Sequence, residues 1–271
     1  FDASVQQIFG TLLQGHSLHL IDKELKRDGA GLVDFLRDSA VDLCDGTPTL
    51  LAVMVASGLL EAGQNTPQRF IIGGEPLPPD LADMLAWKNI AVSNAYGPTE
   101  CCVDAIVHLV KAGSAPCSGV PIGRPIGRCR AYILDAHGKP VPVGVNGELH
   151  LSGAGLFRGY VNKPELTAAK RVANPFLDDS SSDGERDVYG LMYRTGDICH
   201  WLADGEIAIV GRNDDQVKIR GYLIEPAEIE AHLCAHQQVN EALVLPRQSA
   251  QGVQELAAYL TFHDELDIPT L

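Results

Sequence analysis

An alternation of short apolar runs and a helical stretch in residues 70–100 constrains the fold of this chain more than any other feature. Phe70-Ile71-Ile72 is typical of a buried strand that ends at Gly73-Gly74, and a helix is expected over Asp80–Trp87. Ile90-Ala91-Val92 begins another strand, which runs into the loop Asn94–Glu100. This pattern predicts an α/β fold with a layered αβα sheet, and ligands bind at such strand-end loops.

Near residue 131 the sequence pattern changes to short strand-like segments separated by turn residues. Tyr132–Leu134 and Gly147–Ser152 are strand-like, and Asp204-Gly205 marks a hairpin between two apolar runs. A small β-barrel is therefore expected from about residue 131. From Gln216 the order strand, strand, helix, strand, strand predicts the start of a small α+β subdomain. The expected domains are residues 1–214 and 215–271.

Composition excludes several classes of protein. The 21 Lys+Arg against 35 Asp+Glu give a net charge of −14, which argues against a nucleic-acid-binding surface. The longest apolar stretch, Leu50–Leu60, is interrupted and too short to span a membrane. The seven cysteines have no Cys-x-x-Cys spacing, so we expect reduced thiols in the cytoplasm. The polar segment Asp178–Asp187 is expected to be a surface loop.

Two short segments carry groups suited to a nucleotide. Asn94–Glu100 places an amide, an aromatic ring, a hydroxyl and a carboxylate around a Gly-Pro turn, although an ordinary turn capped by Thr99 explains the same residues. Tyr193–Asp197 ends in a carboxylate that can accept both hydroxyls of a ribose. A turn-capping Asp is the simpler reading of that second segment.

Two longer segments are rich in glycine or charge. Gly147–Tyr160 lacks the Lys-Ser/Thr of a phosphate-binding P-loop, so turns and close backbone packing are expected there. Gly211–Gly221 reads as an edge strand protected by Lys and Arg, but it lies between the barrel and the terminal unit, where a hinge is expected.

Together and in this order, the segments resemble core motifs of the adenylate-forming enzymes, in particular the amino-acid adenylation domains of nonribosomal peptide synthetases. The motifs are Phe1–Ser4, Asn94–Glu100, Gly147–Tyr160, Tyr193–Asp197 and Gly211–Glu230. The resemblance implies an ATP-dependent ligase that forms an aminoacyl-adenylate and transfers the aminoacyl group to the phosphopantetheine thiol of a peptidyl carrier protein. It implies ATP, Mg²⁺, an amino acid and other synthetase domains as partners, with no nucleic acid and no membrane.

Two parts of that family are missing from the sequence, namely the phosphate loop and the lysine of the last motif. We therefore expect a piece of a longer polypeptide that is inactive alone. The latter part of the large subdomain and the first half of the small one are expected here. A tailoring domain inserted after Leu271 is a further hypothesis.

The resemblance also implies roles for individual residues. Asp2 would pair with the α-ammonium of the substrate, Glu100 would bind Mg²⁺, Lys218 would serve the thioester-forming step and Asp214 would be the hinge. Thr99 would contact the phosphates, and with Glu100 and Lys218 it forms the expected catalytic set. Ile209 stands where relatives often carry a tyrosine. The expected ATP-binding residues are Gly74, Glu75, Pro76, Asn94, Tyr96, Thr99, Asp197 and Arg212.

The positions that line the amino-acid pocket carry over in the same way. They are Asp2, Ala3, Gln6, Asp45, Ile71, Gly73, Ala95, Val103 and Asp104. An amide and two acids among small apolar residues suit L-glutamine, which both donates and accepts hydrogen bonds. Glutamate lacks a cationic partner, whereas ornithine and lysine remain alternatives because two acids can hold an ammonium. An outward-facing Asp104 is the alternative to its pocket role.

Two other functions compete with amino-acid activation. An acyl- or aryl-CoA ligase of the same superfamily would not need Asp2, because its substrates lack an α-amine. A non-catalytic binding or interaction unit is the alternative from a different class.

Overall fold

The computed structural model describes residues 2–61, 66–111, 119–177, 181–219, 222–248 and 254–262. The chain divides into two units, Phe1–Asn213 and Asp214–Leu271.

The helices of the first unit are α1 (Ala3–Leu12), α2 (Gly29–Asp38), α3 (Pro48–Ala56), α4 (Pro79–Trp87), α5 (Pro164–Lys170) and α6 (Asp183–Tyr189). Its strands are β1 (Leu43–Gly46), β2 (Arg69–Gly73), β3 (Ala91–Tyr96), β4 (Ile106–Val110), β5 (Arg124–Pro125), β6 (Cys129–Leu134), β7 (Gly147–Gly153), β8 (Arg171–Ala173), β9 (Leu191–Trp201) and β10 (Ile207–Arg212). The second unit contains β11 (Val217–Ile219), β12 (Tyr222–Ile224), α7 (Pro226–Cys234), β13 (Val239–Gln248) and β14 (Gln254–Phe262). Short 3₁₀ helices occur at Leu25–Arg27 and Thr99–Cys101.

The first sheet has the order β1-β2-β3-β4-β5 and sets up the candidate site. β1, β2 and β3 are parallel, whereas β4 and β5 are antiparallel additions. Asp45 pairs in register with Ile71, and Gly73 pairs with Ala95. The carboxyl ends of the three parallel strands therefore meet at one edge, which is where parallel sheets bind ligands.

One core lies between this sheet and helices α2, α3 and α4. Phe70 and Ile72 of β2 are at most 1% exposed and pack with Leu32, Leu51 and Leu85 from the helices. Burying each such side chain contributes about 1.5–3 kcal/mol. This packing holds the strand ends rigidly in place.

The second sheet has the order β10-β9-β7-β6, with β8 paired to β9. Its core residues Leu149, Leu151 and Ile207 cluster with Tyr96 and Ile106 from the first sheet. The two sheets of the first unit therefore share a second hydrophobic core. In the described residues this sheet is curled into a half-barrel, in keeping with the small β-barrel expected from the sequence.

The second unit has the predicted order of strand, strand, helix, strand, strand. β11 pairs with β12, and β13 with β14, both antiparallel. Val239 and Val244 of β13 are buried, and Glu230 of α7 accepts a hydrogen bond from the Val244 backbone at 2.8 Å. α7 is thereby tied to the longer hairpin.

The predicted α/β fold class is confirmed, with two local corrections. Asn94–Tyr96 belongs to β3 rather than to a loop. The predicted surface loop is wrong over residues 183–187, because Ser182 and Glu185 form a capping box that starts α6; residues 178–180 lie outside the described residues. None of the described helices is both long and apolar enough to cross a membrane.

Candidate active site

Asp2 lies at the start of α1 and contacts the loop that follows β3. Its Oδ1 accepts a hydrogen bond from the Ala3 backbone at 2.9 Å, and its Oδ2 accepts one from the Thr99 hydroxyl at 2.6 Å. Each carboxylate oxygen can accept a further hydrogen bond. The residue expected to bind an α-ammonium is therefore oriented by the residue expected to contact phosphate.

Two further carboxylates, Asp45 and Asp104, are both half-buried, and their charges act on each other. Burial raises the pKa of Asp45 to about 6; a hydrogen bond from Gln7 opposes this rise and the charge of Asp104 adds to it. Burial also raises the pKa of Asp104, opposed by a hydrogen bond from Gln6 and increased by the charge of Asp2. Asp104 is half-buried, and its role in the amino-acid pocket stays a prediction.

The apolar positions of the expected pocket, except Val103, lie on β2, β3 and α1. Ile71 is half-buried on β2, and Ala95 is 6% exposed on β3. A Cβ at Gly73 would lie 2.8 Å from the Ala95 carbonyl oxygen, so only glycine fits between the strand ends. Ala3, in the first turn of α1, is half-buried.

The segment that carries Asp104 has an unusual backbone. Cys102 and Val103 have φ values of +65° and +70°, a region that non-glycine residues seldom adopt. The Val103 carbonyl oxygen also lies where a Cβ on Gly97 would come within 2.0 Å of it. Backbone strain of this kind persists only where the surrounding structure holds it in place, and Asp104 follows directly after the strained residues.

The loop after β2 is fixed by Glu75. Its Oε2 accepts hydrogen bonds from the Thr49 backbone at 3.1 Å and from the Thr49 hydroxyl at 2.6 Å, in the first turn of α3. Gly74 has a φ of +82°, which glycine adopts readily. The backbone of Gly74, Glu75 and Pro76, expected to border the adenine, is therefore attached to a helix N-terminus.

Asn94 and Asp197 are both buried and hydrogen-bonded. The Asn94 side-chain amide donates to the Pro121 carbonyl at 2.7 Å. Asp197 Oδ1 accepts from Arg212 Nη1 at 2.6 Å, and Oδ2 accepts from the Tyr96 hydroxyl. Asp197 and Arg212, the two residues expected to bind the ribose, are thus hydrogen-bonded to each other.

Tyr96 has two features that bear on its expected role. Its ring is only 6% exposed, and the predicted stacking with adenine would use that small exposed part. Burial, followed by the charge of Asp197, raises the pKa of the Tyr96 hydroxyl well above its usual value. The hydroxyl therefore stays a hydrogen-bond donor.

Glu100 is held by the glycine-rich segment that follows β7. Its Oε1 accepts from the Tyr160 hydroxyl at 2.5 Å, and its backbone carbonyl accepts from the Phe157 backbone at 2.7 Å. A Cβ on Gly155 would lie 2.7 Å from the Cys101 carbonyl oxygen. This confirms the expected close backbone packing, and it gives that packing a role in positioning Glu100.

The residues around Glu100 fit a magnesium ion bound together with phosphates. Mg²⁺ prefers oxygen ligands and is usually held by one or two carboxylates plus substrate phosphates and waters. Across the described part of the chain, no group of three or more His, Cys, Asp or Glu residues is placed to hold a metal. A single carboxylate at Glu100 is consistent with that shared mode of binding.

Of the remaining predicted residues, Asp214 and Lys218 lie in the second unit, and Ile209 lies in the first. Asp214 is the first residue of the second unit, and its Oδ1 accepts a hydrogen bond from the Gln216 backbone at 3.4 Å. Lys218 lies on β11, and its side chain is outside what the structure describes. Ile209 is 41% exposed on β10.

Two residues of the site were missed from the sequence. Tyr160 donates a hydrogen bond to Glu100, and Thr49 donates one to Glu75. Tyr160 lies in a recognised motif, which is a signal that could have found it. No local signal marks Thr49, because its partner is distant in sequence.

Comparison with known proteins places this site in a family. Residues 1–161 match the family described as AMP-binding enzyme. The chain belongs to that family. The chain is 41% identical over 271 residues to bacitracin synthase 1 of Bacillus licheniformis, covering 98% of the chain and 5% of that synthase.

Solved structures of adenylation domains are similar to this chain. A Vibrio cholerae adenylation domain in complex with glycyl-adenosine-5'-phosphate is 27% identical, with a TM-score of 0.82 over 98% of this chain and 49% of that one. An artificially fused adenylation-PCP di-domain synthetase from Klebsiella oxytoca is 25% identical, with a TM-score of 0.79 over 99% of this chain and 48% of that one. The resemblance to adenylation domains of nonribosomal peptide synthetases is confirmed. The chain spans about half of these solved proteins.

Proposed function

We propose that the complete protein activates an amino acid with ATP as an aminoacyl-adenylate and passes it to the phosphopantetheine thiol of a carrier protein. In this proposal residues 1–214 are the latter part of the large adenylation subdomain, and residues 215–271 are the first half of the small one. The described cysteines are free thiols, in keeping with a cytoplasmic enzyme.

One observation carries the proposal, namely the 2.6 Å hydrogen bond between Asp2 and Thr99. In an α-amino acid the ammonium and the carboxylate are attached to the same carbon. A substrate whose ammonium pairs with Asp2 therefore brings its carboxylate next to the residue expected to contact the phosphates. Ion pairing at Asp2 would also reject acids that lack an α-amine.

The reaction joins the substrate carboxylate to the α-phosphorus of ATP and breaks the bond to pyrophosphate. The side chains bind and orient the reactants, since such chemistry depends mainly on positioning and on charge neutralisation. Glu100 would hold Mg²⁺ together with the phosphates, and the ion would supply part of that neutralisation. Asp197 and Arg212 orient the ribose, and Tyr96 and Asn94 border the adenine.

The glycyl-adenosine-5'-phosphate bound to the Vibrio cholerae relative supports aminoacyl-adenylate formation. The adenylation-PCP di-domain supports a carrier protein as the acceptor. For the second step we propose Asp214 as the hinge and Lys218 as a residue of the thioester-forming conformation.

We propose L-glutamine as the substrate. Its side-chain amide donates to Asp45 or Asp104, and its carbonyl accepts from Gln6. An anionic glutamate side chain would meet two acids, Asp45 and Asp104, without a cation. Ornithine and lysine are the cationic alternatives, and the experiment below separates them.

The test is ATP–pyrophosphate exchange by the complete adenylation domain with every proteinogenic amino acid and ornithine. Glutamine is expected to give the fastest exchange, and Asp2→Ala to abolish it. Exchange with fatty or aryl acids but with no amino acid would refute the proposal.

A second variant tests the side-chain pocket. Gln6→Lys places a cation beside Asp104 and is expected to shift preference from glutamine towards glutamate. The control, Gln14→Lys, makes the same change at an exposed position after α1. An unchanged preference in Gln6→Lys would mean that Gln6 does not face the substrate side chain.

A further inference from the structure

The first turn of α3 takes one of its hydrogen-bond partners from a loop 26 positions away in the sequence. Pro48, at the start of the helix, has no N–H, and the Thr47 hydroxyl accepts from the Leu50 backbone at 3.3 Å. Between them, the Thr49 backbone donates to Glu75 Oε2 at 3.1 Å, and the Thr49 hydroxyl donates to the same oxygen at 2.6 Å. The first N–H groups of a helix lack partners within the helix and favour a negative charge. Glu75 therefore completes the N-terminus of α3.

The Glu75 carboxylate depends on these two donors. Glu75 is half-buried, and its other oxygen, Oε1, is buried without a hydrogen-bond partner among the described residues. A carboxylate oxygen removed from water without a donor is unfavourable. The two hydrogen bonds from Thr49 to Oε2 therefore stabilise the side chain in this position.

The loop that carries Glu75 joins β2 to α4 and is short and stiff. Pro76 and Pro78 fix two of its φ angles. Leu77 is 4% exposed and packs in the core between the first sheet and its helices. Because the rest of the loop has little freedom, the position of the Glu75 side chain also sets the position of the backbone around it.

We propose that Thr49 is a positioning residue for the nucleotide, because through Glu75 it holds the loop backbone that is expected to border the adenine. This rests on the proposed function and adds to it a residue from outside the expected ATP-binding set. Thr49 acts through Glu75 and touches neither substrate. Its loss weakens the binding of ATP more than that of the amino acid, since none of the residues expected to line the amino-acid pocket lies in this loop.

Variants of the complete domain, measured by ATP–pyrophosphate exchange, test this. Thr49→Val keeps the shape of the side chain and the backbone N–H but removes the hydroxyl. One hydrogen bond lost at a site partly open to solvent corresponds to a rise of about three- to ten-fold in the KM for ATP, with a smaller change in kcat and in the KM for the amino acid. Thr49→Ser, which keeps the hydroxyl, is expected to retain a KM for ATP near that of the wild type.

The control Thr47→Val separates positioning from the stability of the helix. It removes the hydroxyl that caps α3 but leaves both donors to Glu75 in place. We expect it to lower the Tm without raising the KM for ATP. A KM for ATP that rises as much in Thr47→Val as in Thr49→Val would overturn the inference.

A double-mutant comparison tests whether Thr49 acts through Glu75. In a Glu75→Ala background Thr49 has no carboxylate to hold, so Thr49→Val is expected to have little further effect on the KM for ATP. An equal effect in both backgrounds would overturn the inference, as would an unchanged KM for ATP in Thr49→Val or an equal rise in KM for both substrates. Absence of all amino-acid-dependent exchange in the wild type would instead overturn the proposed function. Calorimetry of ATP binding would then still test Thr49, since Thr49→Val is expected to bind ATP more weakly than the wild type.

Discussion

The hydroxyl of Tyr96 offers a direct test of the buried network around Asp197. Tyr96→Phe keeps the ring in the core shared by the two sheets and deletes only the donor to Asp197 Oδ2. Asp197 is 7% exposed and keeps Arg212 as a partner at 2.6 Å. The variant therefore leaves one oxygen of a buried carboxylate without its donor.

The expected loss follows from the kind of bond removed. A hydrogen bond to a charged group contributes about 1.5–3 kcal/mol. For a domain of about 150–250 residues, each 1 kcal/mol lowers Tm by about 2–4 °C. We therefore expect the Tm of the first unit to fall by about 3–12 °C.

The loss of stability in Tyr96→Phe, relative to the wild type, depends on pH. The folded state keeps the Tyr96 proton because the pKa is raised, whereas the unfolded chain releases it above pH of about 10. The wild type therefore loses stability as the pH rises beyond that value, and the variant lacks this loss. The difference in stability between the wild type and Tyr96→Phe is therefore largest below that pH and decreases above it.

Scanning calorimetry of the chain at neutral and alkaline pH measures both effects. Tyr259→Phe, which deletes a hydroxyl from a side chain that is 57% exposed, is the control. A Tm in Tyr96→Phe that falls no further than in Tyr259→Phe would refute the reasoning. A deficit that grows with alkaline pH would refute the sign of the pKa argument.

Two more outcomes are expected for the stability of the chain. Gly123→Ala should cost about 3 kcal/mol or more, because a Cβ would lie 2.0 Å from the Val107 carbonyl oxygen at a φ of +96°. Gly138→Ala, with a φ of +73° and open space around it, should lower the free energy of unfolding by only about 1 kcal/mol. If urea denaturation gave the same loss of stability for both glycine variants, the packing argument would be wrong. Burial raises the pKa of Cys129 to about 11 and, with the charge of Asp45, that of Cys44 to about 12, from an ordinary value of 9.0. As the pH rises, the thiols ionise in the unfolded chain before they ionise in the folded protein. The urea concentration at the midpoint of unfolding is therefore expected to decrease as the pH is raised from 9 to 11, and to decrease less steeply in Cys129→Ala. A midpoint that does not change over this range would argue against buried neutral thiols.

Elements with strong local signals were predictable from the sequence. The apolar run of β2, the proline before α4 and the turn between β9 and β10 each indicate their element without reference to the rest of the chain. Asn94 was misassigned to a loop because its polarity is typical of one. In the fold it is buried and bonded to Pro121, a partner that no local pattern reveals.

The missed helix α6 has a different cause. Ser182 and Glu185 carry its capping box, a signal present in the sequence but hidden within a polar segment. In the site, the expected residues were named by motif, but their pairings were not. The contact of Asp2 with Thr99 spans 97 positions, and that of Glu75 with Thr49 depends on where α3 begins relative to β2.

The contact between Asp2 and Thr99 has a consequence for building hybrid synthetases. It joins the start of α1 to the segment that follows β3, and the two residues are 97 positions apart in the sequence. A crossover between them would set Asp2 from one parent against the residue at position 99 from the other. Transplants that keep residues 2–99 from one parent would inherit a matched pair, so recombination boundaries belong outside that range.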